Sequence, residues 1–306
     1  MPAIKALILA AGFGSRMQPI TDLIPKPMIP FMGKPLIEHA IKKIRDAGIE
    51  KIAVNGHHLF PVLKEYLSKN HKDIYLSYEP SILGTGGAIY PLKDFLDGDD
   101  LLIFNSDVLC NIDLKKFIAD YQKRRDFASM LLLKNPDLAK TAIAMDSYQK
   151  LKAFGSILEG CSHHSFTGIH IISHKMVQMV GEGFSSIIDT YKECLANGLP
   201  IGCFLHDGFW KDLGTPKDFY GAHKDFLAIE NGYMKAHGLS QKEGSVLDDR
   251  VRLYGGSILE DSFLFGETEI GEHAKVSESV VMDGKVKSHA RVEGQIVYRH
   301  LNIQFD

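Results

Sequence analysis

Residues 4–21 read IKALILAAGFGSRMQPIT, and the segment Pro25-Lys26-Pro27 follows a few residues later. The first six of these residues are apolar apart from one lysine, which is typical of a strand covered on both faces. The loop that follows contains Gly12 and Gly14, which lack the side chains that would keep backbone N–H groups away from phosphate oxygens. Arg16 and Lys26 add two cations that suit phosphate. The pattern predicts a buried first strand that leads into a phosphate-binding loop.

The rest of the first half alternates strand-like and helix-like segments. Apolar residues recur at helical spacing from Leu36 to Ala47, and Gly48 is a natural C-terminal stop. The other predicted helices are 61–68, one between 78 and 101, 114–125, 174–180, 187–196 and 215–230, and the predicted strands are 4–9, 49–55, 74–78, 101–105, 127–133, 141–145, 166–172 and 201–205. This alternation predicts an α/β fold with a Rossmann-like, mostly parallel sheet that carries helices on both faces.

The C-terminal part has a different character, because valine, isoleucine and glycine recur there without a helical pattern. Residues 270–276 match residues 286–292 at an offset of 16, and such a short period is typical of stacked coils in a β-solenoid. The first of these segments resembles the hexapeptide repeat of left-handed β-helices, and an antiparallel meander is the alternative. The predicted organisation is a main α/β domain over 1–230, a linker over 231–244 and a short left-handed β-helix over 245–306.

Composition limits the class of protein. The chain has 306 residues, with 35 Lys and Arg against 38 Asp and Glu and a net charge of −3, so we expect no nucleic-acid partner. The four cysteines lie far apart without a Cys-x-x-Cys pair, which favours a reducing compartment and a cytoplasmic protein. No apolar run reaches about 18 residues, so we expect no membrane-spanning helix, and the apolar N-terminus is interpreted as a strand and not as a signal peptide.

Several further motifs follow the glycine loop in a fixed order. Together with that loop they resemble the signature of the sugar-1-phosphate nucleotidyltransferases, also called NDP-sugar pyrophosphorylases. The resemblance covers about residues 3–230, and its later motifs are PKP from Pro25, GKPL from Gly33, EP from Glu79, LGTGGA from Leu83, NSDV from Asn105, FTGI from Phe166 and WKDLGTP from Trp210. It implies an enzyme that forms an NDP-sugar and pyrophosphate from an NTP and a sugar 1-phosphate.

In such a reaction two anions must meet, so catalysis depends on charge neutralisation and in-line positioning. Asp107 follows an apolar strand at the edge of the sheet where α/β proteins bind ligands, and carboxylates suit Mg²⁺. The resemblance implies that Asp107 and Asp212 together hold Mg²⁺, and that Asp107 acts in catalysis with Arg16 on the leaving pyrophosphate and Lys26 on phosphate in the transition state. It also implies nucleotide contacts for Leu9, Ala11, Gly12, Gly14, Ser15, Glu79, Gly84 and Gly86, and sugar contacts for Asn105, Thr167 and Gly168.

The substrate pair stays open at this point. A carboxylate at Glu79 would accept hydrogen bonds from two adjacent donors of guanine, whereas uracil offers one, which favours GTP with mannose 1-phosphate or a related sugar phosphate. The FTGI motif, and the lack of a V-E-K-P-like segment near 154–160, resemble N-acetylmuramate-1-phosphate uridylyltransferases, which favours UTP. A catalytically silent subunit that binds an NDP-sugar is the alternative from another class. We expect a homo-oligomer formed through the C-terminal tail.

Overall fold

The computed structural model describes residues 2–134, 142–229 and 232–305 of the chain. Contacts divide the chain into two compact units, of which the first comprises Met1–Gly12 with His39–Trp210 and the second comprises Phe13–Glu38 with Lys211–Asp306. This division differs from the predicted order of domain, linker and tail, because an N-terminal segment belongs to the same unit as the tail. The predicted boundaries at 230 and 245 themselves stay a prediction.

Strands and helices alternate along the first two thirds of the chain, and short strands follow. The described strands are β1 (Ile4–Leu9), β2 (Pro30–Phe31), β3 (Lys34–Pro35), β4 (Ile52–Gly56), β5 (Tyr75–Tyr78), β6 (Asp100–Asn105), β7 (Val108–Cys110), β8 (Ala128–Leu133), β9 (Ala142–Met145), β10 (Leu151–Phe154), β11 (Ser162–Ile172), β12 (Ile201–His206), β13 (Trp210–Asp212), β14 (Ser240–Lys242), β15 (Ser245–Leu247), β16 (Arg252–Leu253), β17 (Ile258–Glu260), β18 (Phe263–Phe265), β19 (Glu269–Ile270), β20 (Lys275–Ser277), β21 (Val280–Met282), β22 (Lys285–Val286), β23 (Arg291–Glu293), β24 (Gln295–Tyr298) and β25 (Leu301–Gln304). The described helices are α1 (Leu36–Asp46), α2 (Phe60–Asn70), α3 (Gly84–Gly87), α4 (Lys93–Leu96), α5 (Leu114–Arg124), α6 (His174–Met179), α7 (Ile187–Ala196), α8 (Pro216–Ile229) and α9 (Tyr233–Ala236). Single turns of 3-10 helix cover Ser15–Met17, Ile20–Asp22, Lys26–Met28 and Tyr90–Leu92.

A nine-stranded sheet forms the centre of the first unit within the described residues. Its order is β10-β9-β11-β6-β1-β4-β5, and β8 pairs with β11 and β12. β1 runs parallel to β4 and β6, β4 to β5, and β8 to β12, whereas β11 runs antiparallel to β6, β8 and β9, as β10 does to β9. Seven of these nine strands therefore point one way and β10 and β11 oppose them, which confirms a mixed α/β fold with a largely parallel sheet.

Helices cover both faces of this sheet. α6 and α7 contribute to one apolar cluster that also holds Leu7 of β1 and Cys203 of β12. The ring of Phe117 on α5 packs against Phe204 of β12, with the ring centroids 5.5 Å apart. Because successive residues of a strand point to opposite faces, α5 lies on the face opposite α6 and α7. This placement agrees with the predicted arrangement of helices.

The predicted segments agree with these elements in type, and their ends differ by a few residues. α5 and α7 begin where Asp113 and Ser186 accept a hydrogen bond from a backbone N–H of the first turn. The helix predicted between β5 and β6 is divided into short turns, because the glycines of α3 are poor helix formers. The short strands β7, β10 and β13 were missed, because three or four residues show too little alternation. Thr141, Glu230 and Asn231, at the ends of predicted segments, lie outside the described residues.

Most tail strands of the second unit pair in parallel at a spacing of 16 or 17 residues, whereas β25 pairs antiparallel with β24. Val246 pairs with Phe263, Phe263 with Val280, and Val280 with Ile296. Two further parallel sheets have the orders β16-β19-β22 and β17-β20-β23. Parallel pairs at this period fit stacked coils and do not fit an antiparallel meander, in which neighbouring strands run in opposite directions.

Helix α8 covers one sheet of the tail within the second unit. The fully buried ring of His223 lies among the rings of Phe31, Phe219, Phe263 and Phe265, at centroid distances of 4.2, 4.8, 4.9 and 5.7 Å. Aromatic contacts of this kind bury a large apolar area. The apolar face of β18 is therefore covered by the tail's own unit.

The predicted linker over 231–244 contains regular structure. α9 and β14 lie there, and none of their described side chains is buried. β14 forms because it pairs antiparallel with β15, with Gln241 opposite Val246. Such a pairing depends on a neighbour and leaves no apolar pattern in the strand itself. Among the described helices, none combines the length and the apolar character that a bilayer crossing requires.

Candidate active site

The loop after β1 and the turn after β6 leave the sheet side by side. β1 and β6 are parallel neighbours, with Leu9 opposite Asn105, and the backbone N–H of Ser106 donates to the carbonyl oxygen of Leu9 at 3.1 Å. Asp107 follows in the turn between β6 and β7 and is half-buried. The structure therefore places the start of the predicted phosphate loop and a predicted metal ligand at adjacent strand ends, on the carboxyl edge of the sheet.

Glu79, the predicted reader of the base, is buried, with 1% of its surface exposed. One carboxylate oxygen accepts a hydrogen bond from the side-chain amide of Asn55 at 2.6 Å, and the other accepts from the backbone N–H of Leu83 at 2.9 Å. The carboxylate thus faces protein donors, and a contact between Glu79 and a base stays a prediction that this burial argues against. Sequence motifs did not indicate Asn55, whose one signal is that it is a polar residue in the otherwise apolar β4.

The glycines of α3 make room for the loop that precedes α7. The carbonyl oxygen of Ser185 accepts from the backbone N–H of Gly86 at 2.9 Å and of Gly87 at 3.3 Å. A Cβ at Gly86 would lie 2.7 Å from Oγ of Ser185, and one at Gly84, where φ is +74°, would lie 2.5 Å from the Ser185 carbonyl oxygen. Close approach within the protein therefore requires these glycines, and the nucleotide contacts of Gly84 and Gly86 stay predictions.

A bulge in β11 brings the predicted sugar-binding residues together. The register of β11 on β8 shifts between Phe166 and His170, a stretch that contains Thr167 and Gly168, as in a β-bulge. Gly168 has φ +81°, and a Cβ there would lie 2.5 Å from the side-chain amide nitrogen of Asn105. The carbonyl oxygen of Thr167 accepts from the indole N–H of Trp210 at 3.1 Å. Asn105, Thr167 and Gly168 therefore lie at one place, and the indole of Trp210 supports it.

Two titratable groups, one in β7 and one in β11, are kept neutral. Burial raises the pKa of Cys110, three residues after Asp107, to about 11, so its thiol stays protonated at neutral pH and is a poor nucleophile. Burial also lowers the pKa of His164 in β11 from its ordinary value, which keeps this imidazole uncharged at neutral pH. Neither group is thus suited to neutralise phosphate.

The second half of the glycine loop is tightly packed within the second unit. Gly14 has φ +65°, and a Cβ there would lie 2.8 Å from the methyl carbon of Thr21 and 3.1 Å from Cβ of Lys26. The Thr21 hydroxyl donates to the carbonyl oxygen of Gly14 at 3.1 Å. Lys26 is 8% exposed and lies in the single helical turn that Pro25 precedes. This packing holds the loop and the lysine in a defined arrangement.

The guanidinium group of Arg16 lies over Gly214 in the same unit. A Cβ at Gly214 would lie 2.6 Å from both terminal guanidinium nitrogens. Gly214 is two residues from Asp212, which is half-buried, and both belong to the WKDLGTP motif. The structure thus places Arg16, the predicted pyrophosphate-binding residue, beside Gly214 of that motif. A glycine is required at position 214 because a side chain there would collide with the guanidinium group.

Gly214→Ala is expected to lower kcat/KM for the NTP by about 10-fold, because a methyl group would push the Arg16 guanidinium from its place and small misplacements are costly in catalysis. The midpoint of thermal unfolding should stay unchanged, since a flexible side chain can move away. Pyrophosphate release measures the activity. Gly255→Ala is the control, because a Cβ there meets nothing within 4 Å. In an Arg16→Ala background the Gly214→Ala change should have no further effect, and an additional loss there would contradict this account.

The two predicted carboxylate ligands fit the chemistry of a divalent cation. Asp107 and Asp212 offer the hard oxygen donors that Mg²⁺ prefers, and both are half-buried. Across the described ranges, no three His, Cys, Asp or Glu side chains form a cluster that could hold a metal by themselves. Mg²⁺ usually takes one or two carboxylates together with substrate phosphates and water, so such a cluster is not required. A shared ion stays a prediction.

Comparison with known proteins shows the relationships of the chain. Residues 5–145 match the model of the family described as nucleotidyl transferase. A UTP–glucose-1-phosphate uridylyltransferase of Synechocystis sp. is 25% identical over 319 residues, which cover 92% of this chain and 82% of that protein. A mannose-1-phosphate guanyltransferase of Neurospora crassa is 27% identical over 326 residues, which cover 96% of this chain and 86% of that protein.

A solved structure shows the same fold. It belongs to a candidate glucose-1-phosphate thymidylyltransferase of Bacillus anthracis, and it matches with a TM-score of 0.66 over 75% of this chain and 98% of that chain, at 23% identity. At this identity the likeness concerns the fold alone. The matching family model and the named relatives confirm the predicted resemblance. Residues 5–145 are thus similar to the nucleotidyl transferase family, and the chain as a whole is similar to relatives that are named as uridylyltransferases or guanyltransferases of sugar 1-phosphates.

Proposed function

We propose that this protein transfers a nucleotidyl group from an NTP to a sugar 1-phosphate, which yields an NDP-sugar and pyrophosphate. The pairing of β1 with β6 supports this most, because it puts the start of the glycine loop and Asp107 at neighbouring strand ends. Backbone N–H groups of a glycine loop suit phosphate oxygens, and a carboxylate nearby suits a cation that binds phosphate. The names of the relatives describe enzymes of this class.

In the proposed reaction an oxygen of the sugar 1-phosphate attacks the α-phosphorus of the NTP. The bond from that phosphorus to the bridging oxygen breaks, and pyrophosphate leaves with the electron pair. Arg16 binds the leaving pyrophosphate, and Lys26 stabilises negative charge on phosphate in the transition state. The tight packing of Lys26 beside Gly14 supports this role, because a charge that is already in place costs no reorganisation.

The remaining predicted residues bind the substrates and the metal ion in this proposal. Leu9, Ala11, Gly12, Gly14 and Ser15 contact the nucleotide along the glycine loop, and Gly84 and Gly86 contact it at the turn of α3. Asn105, Thr167 and Gly168 contact the sugar at the bulge of β11. Asp107 and Asp212 hold Mg²⁺. Bound Mg²⁺ neutralises phosphate charge and orients the phosphates.

We propose GTP with mannose 1-phosphate or a related sugar phosphate as the substrate pair. Relatives named as mannose-1-phosphate guanyltransferases from several organisms support this choice. UTP is the alternative nucleotide, since the Synechocystis relative is named for UTP and glucose 1-phosphate. UTP with N-acetylmuramate 1-phosphate also stays an alternative substrate pair in this proposal.

A panel of GTP, UTP, dTTP and ATP against mannose, glucose and N-acetylmuramate 1-phosphates tests the proposed function. Pyrophosphate release should require one NTP, one sugar 1-phosphate and Mg²⁺, and EDTA should stop it. Release with no pair, combined with measurable NDP-sugar binding, would contradict the enzyme and support the catalytically silent subunit. Release with UTP alone would replace GTP in the proposal.

For the tail we propose a left-handed β-helix that joins copies of the chain in a cytoplasmic homo-oligomer, with no nucleic-acid or membrane partner. The period of 16 or 17 residues in the parallel pairs supports the β-helix. β22 and β23 lie at the ends of their sheets, and a terminal strand can pair with another chain. Light scattering measures the mass in solution, and the mass of a single chain would contradict the oligomer.

A further inference from the structure

Three strand ends at the carboxyl edge of the sheet are linked by one series of hydrogen bonds. The backbone N–H of Ala10, after β1, donates to Oδ1 of Asn55 in β4 at 2.7 Å. Nδ2 of Asn55 donates to Oε1 of Glu79, after β5, at 2.6 Å. Oε2 of Glu79 accepts from the backbone N–H of Leu83, immediately before α3, at 2.9 Å. The series therefore connects the glycine loop to the glycine turn of α3.

The two side chains in the middle of this series are shielded from any ligand. Asn55 is 2% exposed and Glu79 is 1% exposed. The backbone of Glu79 is fixed as well, because its N–H donates to the carbonyl oxygen of Gly56 at 2.9 Å and its carbonyl oxygen lies 2.8 Å from Nδ1 of His57. A side chain that reads a base must present an accessible oxygen, and both carboxylate oxygens of Glu79 face protein donors instead.

We propose that Asn55 and Glu79 are positioning residues that set the glycine loop after β1 against the glycine turn of α3, and that Glu79 does not select the base. For its activity readout the inference rests on the proposed function. The strands β1, β4 and β5 are consecutive parallel neighbours, but their loops are not paired by the sheet. The buried hydrogen bonds through Asn55 and Glu79 connect these loops where the sheet does not. Loss of one partner would leave a buried donor without an acceptor, which lowers the free energy of unfolding.

The pair can be exchanged without losing a hydrogen bond. In Glu79→Gln alone, the amide offers one acceptor to two donors, so either Asn55 or Leu83 loses its partner. In Asn55→Asp alone, two carboxylates face each other, which is unfavourable. In the double variant, the new carboxylate at position 55 accepts from Ala10 and from the new amide at position 79, whose oxygen accepts from Leu83. The exchange keeps the size of both side chains and the total charge.

The test compares kcat/KM for GTP and for UTP in the wild type, the two single variants and the double variant, at saturating sugar 1-phosphate. Each single variant is expected to lose about 10-fold for both nucleotides, and the double variant is expected to return to within about 3-fold of the wild type. The ratio of kcat/KM for GTP to that for UTP should stay the same in all four proteins. KM for the sugar 1-phosphate should not change. Glu65→Gln, on an exposed position of α2, is the matched control.

Two results would overturn the proposal. A GTP-to-UTP ratio that changes in both proteins carrying Glu79→Gln would show that Glu79 reads the base, and losses that add up in the double variant would show that the pair is not coupled. Urea unfolding of the same four proteins requires no activity and should show the same recovery in the double variant. If the wild type releases no pyrophosphate with any substrate pair, the proposed function fails, and the urea midpoints still decide whether the pair is coupled.

Discussion

Asp107→Ala is expected to lower the rate of NDP-sugar formation by about 10³-fold, because the carboxylate that we assign to Mg²⁺ would be missing where phosphate charge must be neutralised. Asp107→Asn should lose about as much, since the amide keeps the shape and removes the charge. Pyrophosphate release with saturating substrates and Mg²⁺ measures the effect.

The structure offers a control for this substitution. Asp207 is largely exposed, and its carboxylate lies 3.8 Å from the ammonium group of Lys134, so Asp207→Ala removes a carboxylate from the same unit at little expected cost. Urea unfolding should show folded protein for each variant. Wild-type turnover in Asp107→Ala, with the protein folded, would refute the metal assignment.

Gly87→Ala is expected to lower the free energy of unfolding by about 2 to 4 kcal/mol, because the new methyl group would collide with a backbone carbonyl and cannot move aside. The oxygen in question is that of Gly183, and the carbonyl carbon of the same residue is 3.1 Å from the position of the methyl group. Relief of the collision would break the hydrogen bonds from Gly86 and Gly87 to Ser185. The midpoint of urea unfolding measures the effect.

Gly181→Ala is the matched control, since it lies in the same loop as Gly183 and a Cβ there meets nothing within 4 Å. Its effect on the free energy of unfolding should stay within about 0.5 kcal/mol. Activity of the Gly87→Ala protein should fall at a temperature where it is still folded, because the glycine turn would be displaced. Equal stability of the two variants would show that the loop before α7 does not approach the turn as described.

The sequence predicted the elements that local patterns encode. β1 was predicted with its observed bounds, as was α7, because apolar periodicity, capping residues and glycine stops act over a few neighbouring residues. The repeat at an offset of 16 predicted stacked coils in the tail. The structure has parallel pairs at that spacing, such as Ile270 with Val286. The helix predicted between 78 and 101 shows the opposite case, because this segment forms short turns. One of them, α3, bonds to Ser185, which is about 100 residues away along the chain.

Motif order predicted the glycine loop, the two carboxylate ligands and the resemblance to known nucleotidyltransferases, because the chemistry of phosphate and Mg²⁺ favours those residue types. The partners of these groups became known from the folded chain alone. Glu79 turned out to face Asn55 and Leu83, Arg16 to lie over Gly214, and Gly87 to meet Gly183. Residues up to about 200 positions apart meet because of how sheets and helices pack, and packing depends on the whole chain. That is why local patterns predicted which residues are candidates for the chemistry, whereas long-range contacts decided which of these side chains face protein partners in the folded chain.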